Sequence, residues 1–195
     1  RDNPGLSLLL KSEVLKIEKK YDQLTNVYEE MIKKKNTETL GYRGLMEQNL
    51  KNQDFHHAFI YGEKLFNNNP FIEKIYETLV NIIAKTSNWT QLLLITDKAL
   101  SSKIINKEIY NINKSIAYFE IAKIKKTGDP KDALNHIDKA LKLRKNFPPY
   151  VILYIEILIQ EKKLNIAKKY LKRVWNENPH SEYKSIIIKL ADSLN

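Results

Sequence analysis

The chain has no cysteine, which excludes disulfides, thiolate metal sites, iron–sulfur clusters and a cysteine nucleophile. Five glycines and six prolines in 195 residues are too few for an all-β chain, whose tight turns need them, and enough to punctuate helices. No run reaches the ~18 apolar residues of a membrane span. The longest, Tyr150 to Ile159, is short and interrupted by Glu156. Arginine is scarce: only Arg1, Arg43, Arg144 and Arg173 stand among 33 basic residues, against 23 acidic ones. The net charge of +10 invites a nucleic-acid or anionic-membrane partner. Base reading and tight phosphate binding favour the bidentate guanidinium, however, and here lysine rises together with isoleucine and asparagine, as a codon bias would produce. The chain opens on Arg1 rather than methionine, so we expect it to be a piece of a longer protein. The length suits one domain or one short repeat array, long enough to bury a core without metals, and the composition points to an all-α fold.

What is present is periodic. Four segments share a polar turn, often ending in an aromatic, with a small or apolar residue three positions on: Tyr21 to Leu24, Phe55 to Ala58, Trp89 to Leu92 and Leu164 to Ala167. A fifth, Pro130 to Ala133, has proline at the aromatic place. Leu24 to Ala58, Ala58 to Leu92 and Ala133 to Ala167 each span 34 residues, the length of one tetratricopeptide helix–turn–helix unit; Leu92 to Ala133 spans 41. Asn69-Pro70 and Asn178-Pro179 end helices, because proline lacks an amide proton and restricts the residue before it. In Gly128-Asp129-Pro130, glycine closes one helix, Asp129 caps the next, and Pro130 suits its first turn.

The expected architecture is an α-solenoid over residues 1–195: hairpins at about 5–38, 39–72, 73–106, 107–147 and 148–180, with a capping helix at 181–193. The seven extra residues are assigned to the first helix of the fourth hairpin, where no glycine or proline interrupts. Helix-spaced apolar positions agree, as in Leu45, Met46, Asn49 and Leu50, in Tyr76, Leu79, Val80 and Ile83, and in Ile186, Ile187, Leu190 and Leu194.

Catalytic signatures are missing: no glycine-rich phosphate loop, no His-Glu-x-x-His, no Gly-x-Ser-x-Gly. His56 and His57 are adjacent, about 100° apart on a helix, and are poorly placed to chelate one ion. No cofactor, metal or catalytic residue is expected, and the chain is read as a non-enzyme. The tyrosines, Trp89 and Trp175 fall mostly at packing positions and are assigned to the core.

Several stretches are similar to a known family. Thr37-Glu38-Thr39-Leu40-Gly41-Tyr42-Arg43-Gly44-Leu45 resembles the Thr-Glu…Leu-Gly-x-Arg-Gly-Leu stretch of HemY-type tetratricopeptide proteins of alphaproteobacteria, and Trp175 with Asn178-Pro179-His180 resembles that family's Trp…Pro-His ending. Asp2-Asn3-Pro4-Gly5-Leu6-Ser7-Leu8-Leu9-Leu10 resembles the start of its soluble part, and Asn88-Trp89 stands where the family usually has Asp-Trp. The resemblance implies a bacterial inner-membrane protein, anchored by a segment outside this sequence, with a link to haem or porphyrin metabolism. It supplies no catalytic residues.

The functional expectation is a scaffold that holds a protein or peptide on a concave face built from the first helix of each hairpin. The repeat register puts Leu40, Arg43, Glu47 and Lys51 on that face, then Lys74, Glu77, Asn81 and Lys85, then Tyr118, Ala122 and Lys125. Leu9 and Glu13 stand where a carboxylate clamp would need polar and basic groups, so no such clamp is expected. The alternative is a basic repeat protein for nucleic acid or anionic membrane, which steep salt dependence would reveal.

Overall fold

The structure, a computed structural model, describes residues 4–193; Arg1, Asp2, Asn3 and Leu194, on which parts of the sequence reading fall, lie outside them. Eleven α-helices and one 3-10 turn account for the regular structure of the described residues, with no strand. The fold is all-α, made of tetratricopeptide-type helical hairpins. Backbone contacts group it into two compact units, one ending at Asn88 and one beginning at Trp89.

The first unit holds α1 (Pro4–Ile17), α2 (Tyr21–Ile32), α3 (Glu38–Lys51), α4 (Phe55–Asn68) and α5 (Ile75–Thr86), each packed on the next. Leu8, Leu15, Leu24, Val27, Tyr28, Met31 and Leu45 form one apolar cluster. Such side chains stabilise by roughly 1.5–3 kcal/mol each when fully buried. Gly41 is the close-approach position: a Cβ there would meet Ile32 Cγ2 at 2.7 Å, the Tyr28 carbonyl oxygen at 2.8 Å and the Ile32 nitrogen at 2.9 Å. At Gly44 it would strike the Tyr28 ring. These two glycines let α3 lie directly against the backbone of α2.

The second unit holds α6 (Trp89–Ser101), α7 (Lys107–Lys125), α8 (Pro130–Leu143), α9 (Pro148–Gln160), α10 (Leu164–Glu177), the 3-10 turn Ser181–Tyr183 and α11 (Lys184–Asp192). Its core runs from Ala122 and Ala133 through Ile137, Tyr150, Val151, Ile155 and Ala167 to Tyr183, Ile186 and Leu190. The extra length lies in α7, whose 19 residues make it the longest helix. Asn146, in the α8–α9 turn, ties this end together. Its Nδ2 donates to Glu177 Oε2 at 3.0 Å, and its carbonyl accepts from the Tyr183 hydroxyl at 3.2 Å.

Leu24, Ala58, Leu92, Ala133 and Ala167, the residues that mark the period, are all buried. Asp129 accepts from the Asp132 amide at 3.0 Å, with Pro130 opening α8; Asp54 and Asn106 cap α4 and α7 in the same way. Asn69, in extended backbone, and Asn178 each stand before a proline and end α4 and α10.

Gly128, expected to close α7, stands in the turn after it without left-handed backbone; left-handed turn positions belong to Lys19, Gln53, Ser87 and Lys162, among others, and after Lys19, Gln53 and Lys162 the turn closes through an amide reaching five residues back, as from Lys163 to Leu158. The α7–α8 turn closes through the Asp129 amide on the Lys125 carbonyl, four residues back, so its glycine is not needed for that geometry. Two expectations, for Trp175 and for Ala122, need correction. Trp175 is not core: it is 44% exposed, because it stands on the outer side of α10. Ala122, expected on the concave face, is fully buried, because α7 has no exposed residue from Tyr110 to Ala122.

Candidate functional site

The helical period spaces Leu40, Arg43, Glu47 and Lys51 along one exposed stripe of α3. The stripe is fixed from beneath. Leu45 and Met46 are buried on the opposite side, and Gly41 and Gly44 seat the helix on α2. Among the described residues, Arg43, Glu47 and Lys51 form no ion pair. The i,i+4 partnership between Arg43 and Glu47 that the spacing allows is therefore not made.

Hollows flank this stripe on both sides. One, of about 410 Å³, is lined by Lys16, Tyr21, Leu24, Tyr28, Gly44, Glu47, Gln48, Lys51 and Asn52. The other, of about 220 Å³, is lined by Arg43, Met46, Glu47, Leu50, Leu65, Ile72, Glu73, Lys74, Ile75 and Thr78. Glu47 borders both. In the larger hollow, Lys16 donates to Glu13 at 2.7 Å, which holds its ammonium above the usual lysine range. Burial lifts the Tyr28 phenol, against the opposing pull of Lys16. Gln48 Nε2 donates to the Tyr21 carbonyl at 3.1 Å and Thr25 Oγ1 at 2.7 Å, while its buried Oε1 has no partner among the described residues.

The remaining expected residues divide. Lys74 borders the smaller hollow but precedes α5 rather than lying in it; its backbone is left-handed, and its ammonium stands 3.8 Å from Glu73. Glu77, Asn81 and Lys85 are exposed on α5 and line neither hollow; Lys85 sits 4.6 Å over the Phe55 ring. Tyr118 and Lys125 belong to the second unit. Tyr118 is half-buried, its ring centroid 6.1 Å from that of His136, with Lys114 and Lys139 over its face. Lys125 pairs with Asp132, which holds the carboxyl below its ordinary range and the ammonium above.

Sequence reasoning missed one group. Lys114, with 9% of its side chain exposed, donates to both oxygens of Asp97 at 2.8 Å, and Tyr110 donates to the same carboxylate at 3.1 Å. These groups pin α6 to α7. Lys114 and Asp97 stand 17 apart in sequence, a separation with no local signature. Other charges of the second unit are likewise spent: Lys123 on Glu120, Lys126 and Lys189 on Glu156.

Residues 126–190 match the family model of the tetratricopeptide repeat. That segment, about a third of the chain, is similar to tetratricopeptide repeats. It covers α8 to α10 and most of α11, where the two buried alanines Ala133 and Ala167 hold the 34-residue spacing. A search of the curated proteins finds no match. Among solved structures, the chain is similar to YrrB, titled a TPR protein with an unusual peptide-binding site, at 12% identity over 91% of this chain and 88% of that one, TM-score 0.44. It is similar to residues 41-end of MamA from Desulfovibrio magneticus RS-1, at 9% identity over 90% and 95%, TM-score 0.42. A third likeness is to the thermophilic TPR protein TTC0263 of Thermus thermophilus, at 16% identity over 97% and 98%, TM-score 0.38. At these scores no residue is carried across. No helix among the described residues is long and apolar enough to cross a membrane.

Proposed function

We infer that the chain is a non-enzymatic interaction scaffold, and that the α3 stripe with its two flanking hollows holds an extended peptide segment. One observation carries this reading: Arg43, Glu47 and Lys51 stand exposed and unpaired beside partly apolar hollows, whereas Lys114, Glu120, Lys123 and Lys125 of α7 and Glu156 of α9 are each held in an ion pair within the second unit. Unpaired charges of both signs beside recesses suit a partner that supplies the complementary groups and fills the recesses with side chains. Arg43 is the anchor of choice, since a guanidinium offers a rigid fork of donors. Glu77, Asn81 and Lys85 extend the surface along α5. Tyr118 and Lys125 are engaged within the second unit and are not needed for it.

The finer assignment, to a HemY-type protein of the bacterial inner membrane linked to haem or porphyrin metabolism, rests on the sequence resemblance alone, chiefly on the Thr37–Leu45 and Trp175–His180 stretches.

The test is a peptide selected from a random library against the whole chain. Arg43→Ala should weaken it about tenfold or more without lowering the melting temperature, and Lys125→Ala should leave it unchanged. Selected peptides that bind Arg43→Ala undiminished would remove this face from the proposal. Steep loss of affinity for a nucleic acid with salt, in place of peptide binding, would favour the basic alternative.

A further inference from the structure

A different surface of the second unit carries a second partner-binding feature. Between α10 and α11 lies an open hollow of about 320 Å³, lined by Lys168, Leu171, Lys172, Trp175, Ile187 and Leu190. Leu171 and Leu190 are buried and form its floor; Trp175 and Ile187 are exposed and form its walls. The only charged residues that line it are two lysines. No acidic residue lines the hollow, and among the described residues neither lysine has an ion-pair partner. Lys169 and Arg173 on the same helix add to the positive charge, while the one acid of α10, Glu177, is already held by Lys145 at 2.9 Å and by Asn146.

The geometry points to a docking site for an acidic amphipathic segment of another protein, whose apolar side chains enter between Trp175 and Ile187 while its carboxylates meet Lys168 and Lys172. Charge complementarity selects the partner. A hollow rimmed by unpaired ammonium groups attracts carboxylates and rejects basic segments. A half-exposed tryptophan beside a recess is the residue type that most often anchors such contacts. Recession argues against a bilayer, which receives side chains that protrude and does not fill a cavity. A second copy in a two-fold contact would set these lysines against their own equivalents.

The experiment uses the full chain with three probes. The first is an acetylated, amidated helical peptide with leucine at every third or fourth position and glutamate beside it. The second is the same peptide with lysine for glutamate, and the third is vesicles of phosphatidylserine in phosphatidylcholine. Binding is read by calorimetry on the parent chain. It is also read from Trp175 emission in a Trp89→Phe background, where Trp175 is the one tryptophan left. The glutamate peptide should bind and shift the emission to the blue. Lys168→Glu with Lys172→Glu should lose about tenfold or more of that affinity and gain for the lysine peptide. Both positions are exposed, and circular dichroism of the double variant should match the parent. Equal affinity for both peptides, no binding of the glutamate peptide at millimolar concentration, binding of vesicles alone, or self-association that buries Trp175 would each overturn the assignment.

Discussion

At the scale of single residues, Gly41 and Gly128 show how differently one residue type is used. An added Cβ at Gly41 meets the α2 backbone, which cannot rotate away, while at Gly128 nothing lies within 4 Å. Gly41→Ala should therefore cost about 1–3 kcal/mol by overpacking, and Gly128→Ala should be neutral or stabilise by up to about 1 kcal/mol through the unfolded chain. Urea denaturation of the two variants checks this; equal effects would mean that α2 and α3 are not in backbone contact. The Gly41-Tyr42-Arg43-Gly44 pattern is legible in the sequence as a motif, but its cause is not, since it depends on which helix lies opposite. The same applies to Ala122. A 34-residue register puts it on an exposed face; the longer α7, enclosed along its middle, buries it as completely as Ala167. Leucine at either alanine is thus expected to cost alike.

At the scale of elements, helix ends were the most legible feature, because the signals are local: Asp129-Pro130 opening α8, Asn69-Pro70 after α4, Asn178-Pro179 after α10. The turns inside the hairpins were not. Lys19, Gln53 and Ser87, spaced by the repeat, and Lys162 in the last hairpin all have φ between 55° and 59°, yet none is glycine or asparagine. The left-handed conformation there is imposed by the two packed helices against a cost of roughly 1 kcal/mol per residue. The residue type carries no sign of it, because propensity is overridden. Lys162→Gly should relieve that strain and raise stability by a few tenths to about 1 kcal/mol, after the greater freedom of glycine in the unfolded chain is subtracted. The same change at Lys139, exposed on α8 a turn before its end, should lower it by about 1 kcal/mol. Thermal melts of the pair test the turn geometry, and a fall at both sites would contradict it.

At the scale of the whole molecule, the basic balance read from composition is not spread evenly over the chemistry. Much of it is tied up in ion pairs within the second unit, and it is left free on the α3 stripe and along α10. Composition gives the sum, and only the fold tells which charges meet. The consequence is a defined response to acid. Hydrogen bonds from the His57 amide and ring hold Asp54 below the ordinary carboxylate range, the Lys125 ammonium does so for Asp132, and Asn146 with Lys145 does so for Glu177. Because these folded-state values are depressed, their contribution is fully present above the unfolded values near ~4 and is lost as pH falls through the folded ones. Protonation also drives the net charge upward from +10, so self-repulsion acts in the same direction. The melting temperature should hold steady from neutral pH to about pH 5 and fall steeply below about pH 4. Salt should restore the part that comes from repulsion. Asp54→Asn with Asp132→Asn and Glu177→Gln should melt earlier at neutral pH yet lose less on acidification, since these groups no longer take up protons. A variant whose melting temperature falls in parallel with that of the parent would show that general repulsion, rather than these three carboxylates, sets the acid limit.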